Sequence, residues 1–136
     1  MKSRVIATAA VASVCLAMPA FAHHSFSMFD HDKNVSMTGE VKELEWTNPH
    51  AWLHIMTLDE KSGKAVEWSF EMGGVGQIAQ QGWKPDSVKP GDKITVVMHP
   101  LKDGSHGGQY VSASLANGHS FKNNQDNRAA GANVIQ

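Results

Sequence analysis

Histidine and tryptophan are the residues of this chain with the greatest capacity for metal or ligand chemistry. The 136 residues include eight histidines and four tryptophans but a single cysteine. Two of the histidines, His23 and His24, directly follow a segment with the pattern of a cleavable export signal. If the chain is cut after Ala22, His23 carries a free α-amine beside its own imidazole, and the two nitrogens can chelate one metal ion.

This terminal pair predicts the N-terminal half of a histidine brace that binds copper. The brace needs a further imidazole, and we expect His24, His31, His50 or His54 to supply it if the N-terminal arm folds against the second strand. Amine and imidazole nitrogens suit Cu(II) best among the divalent first-row metals. The alternative is that the terminal histidines lie in solvent and bind nothing.

The export signal is predicted over residues 1–22. Lys2 and Arg4 form a basic start, residues 5–18 form an apolar run, and residues 20–22 form a small-x-small cleavage sequence. This pattern predicts cleavage after Ala22 and a periplasmic or secreted protein. The apolar run is shorter than the roughly 18 residues that a membrane span needs, so we expect no membrane insertion.

Composition excludes several further classes of function. Cys15 lies within the predicted signal, so the mature chain has no thiol for a disulfide, a nucleophile or a metal site. Twelve basic against thirteen acidic residues give a formal charge of −1. Removal of Lys2 and Arg4 makes the mature chain mildly acidic, which disfavours nucleic acid as a partner. Because no intact catalytic motif is present, we expect a binding module and not an enzyme.

A second candidate site is an aromatic face on the predicted strand 50–59. Strand alternation places His50, Trp52 and His54 on one face, although His50 and His54 are roughly 13 Å apart at their α-carbons, which is too far for easy chelation. Trp52, together with Trp46, is the candidate ligand face, and core packing is the alternative for Trp46. This face supports a rival hypothesis, in which a metal-free periplasmic module binds a protein, a peptide or a small ligand.

The elements that position these residues are predicted from hydrophobic alternation and turn residues. A histidine-rich arm over 23–35 precedes a domain over 36–121, and a disordered tail is expected over 122–136. The domain is predicted to contain the strands 36–46, 50–59, 64–71, 92–99 and 109–115 and a short helix over 75–82. This order predicts a mainly β fold, a small five-stranded Greek-key (OB-like) barrel with one short helix between strands 3 and 4. A generic small β-sandwich is the alternative.

Five short motifs are distributed through the mature chain. They are His23-His24-Ser25-Phe26, Glu45-Trp46-Thr47-Asn48-Pro49-His50, Gly82-Trp83, Lys89-Pro90-Gly91-Asp92 and Lys102-Asp103-Gly104. The pattern resembles a family of short exported bacterial proteins that carries a domain-of-unknown-function label, over about residues 23–121. The resemblance implies export and a compact β fold, and it implies no activity, substrate or catalytic residue.

Overall fold

The computed structural model describes residues 28–122 of the chain. Within that part, six strands and one short helix follow one another along the sequence. They are β1 (Val35–Glu45), β2 (Trp52–Leu58), β3 (Ala65–Glu71), α1 (Val75–Gln80), β4 (Lys93–Pro100), β5 (Gly107–Leu115) and β6 (Ser120–Lys122). The predicted fold class is confirmed, since β1 to β5 form a closed barrel and the helix lies between β3 and β4.

The barrel closes through a parallel pairing of β3 with β5. β1 pairs with β2 and with β4, β2 pairs with β3, and β4 pairs with β5, all antiparallel. The β3–β5 pairing joins Ser69 to Gly107 and Glu71 to Gln109. A Cβ on Gly107 would lie 2.7 Å from the carbonyl oxygen of Ser69, so closure at this point depends on a residue without a side chain. The resulting circular strand order is that of an OB barrel.

A β-bulge in β1 explains why its alternation is imperfect in the sequence. Val41 lies opposite Ile55 and Glu43 lies opposite His54, so two steps along β1 match one step along β2. Val41 is buried, Lys42 and Glu43 are both exposed, and Leu44 then packs against the core. The extra residue shifts the inward positions by one, and the end of β1 keeps an apolar face toward the barrel interior.

The core is formed by the inward residues of the barrel strands and by apolar residues that cover one end. Inside the barrel lie Leu53, Ile55, Phe70, Val96 and Met98, each almost completely buried. Ile78, Trp83, Val88 and Phe121 of β6 extend this cluster beyond the five barrel strands. The Trp83 ring is 1% exposed and stacks on Phe121 with centroids 4.0 Å apart. Burial of such large rings supplies much of the apolar stabilisation of a domain of this size.

The described end of the predicted arm packs against the barrel. Phe29 is 3% exposed and forms an isolated bridge with Leu101. The amide of Asp30 donates to the carbonyl of Pro100 at 2.8 Å, and the amide of Lys102 donates to the carbonyl of Met28 at 2.9 Å. The chain therefore reaches β1 by way of the β4–β5 loop.

The remaining domain predictions extend beyond the described residues. The predicted signal peptide over 1–22, His23 and His24, and residues 123–136 of the predicted tail all lie outside them. Lys122, the first residue of that predicted tail, ends β6, a strand that the sequence pattern did not indicate. None of the helices in residues 28–122 has the length and apolar character that crossing a membrane requires.

Candidate metal and ligand site

The outer surface of β2 and β3 lies beside two of the histidines that the sequence singled out, His50 and His54. Burial alternates along β2, so Leu53 and Ile55 enter the core while Trp52 and His54 face outward. Trp52 lies opposite Glu71 and His54 lies opposite Ser69 in the β2–β3 ladder. Carboxylates, imidazoles and one indole therefore share a single face of the barrel.

His50 lies in the loop just before β2, on backbone that is fixed on both sides. Asn48, which forms a cis peptide bond with Pro49, accepts a hydrogen bond from the amide of Val75 through its Oδ1. Ala51 is fully buried, and its backbone exchanges hydrogen bonds with Gly73 and Met72. The imidazole of His50 thus projects from an ordered segment.

The His50 imidazole is oriented by a carboxylate. Its Nδ1 lies 2.7 Å from Oε1 of Glu71, and the two side chains are 43% and 13% exposed. A carboxylate only accepts hydrogen bonds, so Nδ1 carries the proton and the neutral tautomer has its lone pair on Nε2. Histidines that bind metals commonly make this contact with a carboxylate through the nitrogen that does not ligate. His50 therefore has the geometry of a prepared metal ligand.

His54 is engaged through both of its ring nitrogens. Nδ1 lies 2.8 Å from Oγ of Ser69 and 3.3 Å from Oε1 of Glu67, and Nε2 lies 3.2 Å from Oε1 of Glu45. The side chain is 15% exposed. A metal ion could bind His54 only by displacing one of these partners. The arrangement favours a structural role, in which the imidazole links β1, β2 and β3.

The charges around the two histidines are mostly negative. Glu45, Glu67 and Glu71 contact an imidazole, and Lys42 forms an ion pair with Glu67. The hydrogen bond from the Lys42 ammonium holds the pKa of the Glu67 carboxyl below its usual range. The face is thus acidic, which favours a cation over an anion as its ligand.

The two tryptophans of the predicted ligand face lie in different surroundings. Trp52 is half-buried on the outer face, and its ring stacks on His54 with centroids 6.4 Å apart and an interplanar angle of 19°. Trp46 packs against the hydrophobic core. Trp52 is therefore the aromatic residue of this face, and Trp46 is a partly buried residue that contacts the core.

His31 lies beside a histidine that the sequence did not indicate as its partner. Its ring centroid is 4.9 Å from that of His99 on β4, with an interplanar angle of 64°. The Nδ1 of His99 donates to the carbonyl of Lys33 at 2.8 Å. The arm thus brings His31 to β4 and the β4–β5 loop, and not to the second strand, where it would have to lie to complete the terminal site with His50 or His54.

Strand register aligns Glu71, the partner of His50, with His99, the partner of His31, across the outer surface of the barrel. Glu71 of β3 lies beside Gln109 of β5, and Gln109 lies opposite His99 of β4. Two strand spacings separate the backbones of Glu71 and His99, or about 10 Å. Among residues 28–122, no three or more His, Cys, Asp or Glu side chains form a group that could hold a metal ion. Each pair therefore offers part of a ligand set.

A separate cavity opens beside Trp68 of β3. Its volume is about 550 Å³, and its lining includes Met37, Val66, Trp68 and His106. The imidazole of His106 covers the Trp68 ring with centroids 5.0 Å apart. Alternation predicts that Trp68 faces inward, but nothing in the sequence indicates that a loop histidine lies across it.

Comparison with known proteins identifies a family. No curated protein and no solved structure matches the chain. A family model with the description "Family of unknown function (DUF6152)" matches residues 10–112, which is most of the chain. This result agrees with the resemblance seen in the sequence at the level of an uncharacterised family. The chain belongs to this family of unknown function.

Proposed function

We propose that this protein is an exported β-barrel module that binds a transition metal, copper, through its mature N-terminus. In this proposal cleavage after Ala22 exposes the amine and imidazole of His23. His24 and His50 supply further nitrogen ligands. Export, cleavage and copper binding are parts of one hypothesis, because the amine ligand exists only after cleavage.

The contact between His50 and Glu71 is the observation that carries the proposal. The carboxylate 2.7 Å from Nδ1 fixes the ring and leaves Nε2 as the nitrogen that can bind a metal. Among the described residues no complete set of three ligands is present around it. A ligand set at His50 therefore needs groups from another segment, and the N-terminal histidines are suitable donors.

The length of the chain between His24 and Met28 limits how far the terminal histidines can reach. Three residues separate His24 from Met28, whose carbonyl is held by the amide of Lys102 in the β4–β5 loop. Four residue steps span at most about 14 Å. The proposal therefore requires the His50 imidazole to lie within that distance, extended by the lengths of the side chains, of the Met28 backbone.

The test is a Cu(II) titration of the processed protein, with its N-terminus established by intact mass. We expect one equivalent of Cu(II) with a nitrogen-rich electron paramagnetic resonance signal, and loss of that signal in His23→Ala. His119→Ala is the matched control, because His119 lies in the β5–β6 turn, where its ring contacts Phe121. Unchanged stoichiometry and an unchanged signal in His23→Ala would contradict the proposal.

A metal-free binding module is the second candidate, and the Trp52 surface favours it. The indole stacks on His54 and lies between Glu45 of β1 and Glu71 of β3 in the strand ladders, so it offers an aromatic surface with negative surroundings. Such a face suits a cationic ligand. A lysine- and arginine-rich peptide, added in the presence of a metal chelator, should shift the NMR signal of the Trp52 indole. An acidic peptide of equal length is the control, and equal shifts with both peptides would exclude this recognition.

A further inference from the structure

We propose that His31 and His99 form a second metal site, which takes a divalent ion such as Zn(II) without any ligand from the N-terminus. The sequence indicates His31 only as a possible ligand of the N-terminal site. It contains no signal that His31 lies beside His99. The inference does not depend on the proposed function, since it uses only residues that the structure describes.

The separation of the two rings fits a shared ion. With metal–nitrogen bonds of about 2.0–2.1 Å and tetrahedral angles, two imidazole centroids bound to one zinc lie roughly 5 Å apart. The centroids of His31 and His99 are 4.9 Å apart, and the rings are inclined by 64°. The two rings are therefore close enough to share an ion once their side chains rotate to direct one nitrogen of each ring at it.

His99 is held in the tautomer that ligation requires. Its Nδ1 lies 2.8 Å from the carbonyl oxygen of Lys33, and a carbonyl accepts but cannot donate. Nδ1 therefore carries the proton, and Nε2 of the neutral ring keeps its lone pair. A backbone carbonyl on the distal nitrogen is a common outer partner of histidines that bind metals.

The segment that carries His31 is also fixed before any metal binds. Phe29 is buried against the barrel, and the amide of Asp30 donates to Pro100, the residue after His99. The amide of Lys33 donates to the carbonyl of Asp30, and the two side chains form an ion pair at 2.7 Å. Hydrogen bonds and an ion pair thus fix both ends of the turn over residues 30–33. Metal binding therefore removes little further conformational entropy from this segment.

The donor atoms define the class of metal. Two imidazoles suit zinc, copper and nickel ions, whereas calcium and magnesium prefer sets of oxygen ligands. In residues 28–122 no third His, Cys, Asp or Glu joins the pair in a group that could hold a metal. The other coordination positions are therefore filled by water or by a ligand from a second molecule.

The test uses the full mature chain with His23→Ala, His24→Ala and His50→Ala, which removes the proposed N-terminal site. Zn(II) is added while the imidazole nitrogens are observed by NMR. We expect the Nε2 signals of His31 and His99 to shift together and to saturate at one equivalent. Shifts of similar size in all five remaining histidines, or none at His31 and His99, would overturn the proposal.

Single substitutions in the same background give a second readout. His31→Ala and His99→Ala should each weaken zinc binding at least tenfold, and His119→Ala should leave it unchanged. Because His31 is exposed, its replacement tests the site even if His99→Ala perturbs folding. Failure here leaves the Cu(II) result with His23→Ala unaffected, so the two hypotheses are tested separately.

Discussion

The Nδ1 of His50 and the Oε1 of Glu71 lie 2.7 Å apart, so a loop histidine is tied to the last residue of β3. Glu71 also lies opposite Trp52 in the β2–β3 ladder and beside Gln109 of β5. The barrel closure therefore sets where this imidazole points. Metal binding removes less conformational entropy from a histidine that a strand residue already holds in place than from one on a mobile loop.

Glu71→Gln is expected to weaken copper binding about 10- to 100-fold, because the amide cannot raise the basicity of His50 as the carboxylate does. The measurement is competition for Cu(II) with a chelator of known affinity. Glu67→Gln is the matched control, since Glu67 is on the same face of β3 but contacts Lys42 and His54. An equal loss in both variants would mean that general surface charge governs binding and that the His50 contact does not.

The pKa of Glu67 should respond to Lys42→Ala. The hydrogen bond from Lys42 holds the pKa of Glu67 below its usual range. The Lys42–Glu67 pair therefore stabilises the fold at pH values above the usual pKa of a glutamate. The contribution is lost as the pH falls through the lowered pKa of the folded state. NMR titration of the Glu67 carboxyl should show a higher pKa in Lys42→Ala. An unchanged pKa would contradict the assignment of Lys42 as the cause.

Tyr110 should make the fold sensitive to alkali. Burial raises the pKa of the Tyr110 phenol, whose hydroxyl donates to the carbonyl of Phe121 and accepts from Nε1 of Trp83. Because the folded state favours the neutral phenol, the contribution of Tyr110 to the stability of the fold is complete below about pH 10, the usual pKa of a tyrosine. That contribution decreases as the pH rises above this value. Because Tyr110 is the only tyrosine in the chain, tyrosinate absorbance reports on it alone.

Tyr110→Phe should lower the free energy of unfolding at pH 7 by about 1–3 kcal/mol, since it leaves buried partners of the hydroxyl unsatisfied. It should also flatten the fall in stability above pH 10. Urea unfolding of both proteins across this pH range measures the two effects. Parallel alkaline profiles would show that ionisation of Tyr110 is not coupled to unfolding.

Alternation in the sequence was sufficient to locate the barrel strands. Leu53 and Ile55 inside and Trp52 and His54 outside follow directly from a period of two. In β1 the period fails at Lys42, because a bulge places two consecutive residues outward, and only pairing with β2 reveals this. The sequence pattern does not indicate β6, because its three residues are too few to display a period.

The candidate site was only partly predictable. The sequence indicated His50 and Trp52, but it could not show that Glu71 orients the first, because that contact depends on the register of β2 with β3. The contact of His31 with His99 joins the arm to β4 and follows from the burial of Phe29. Long-range contacts of this kind have no local sequence signal.

Gly39 in β1 should be far less tolerant of a side chain than Gly76 in α1. A Cβ on Gly39 would lie 2.5 Å from the carbonyl oxygen of Met56 and 3.0 Å from Cδ1 of Ile55, so the backbone must move. We expect Gly39→Ala to lower the free energy of unfolding by about 1–3 kcal/mol, the usual cost of overpacking. Gly76 has no atom within 4 Å of its ideal Cβ. Gly76→Ala should raise stability by about 0.5–1 kcal/mol through helix propensity. Urea denaturation compares the two variants directly, and equal effects would contradict the close approach of β1 to β2 at Gly39.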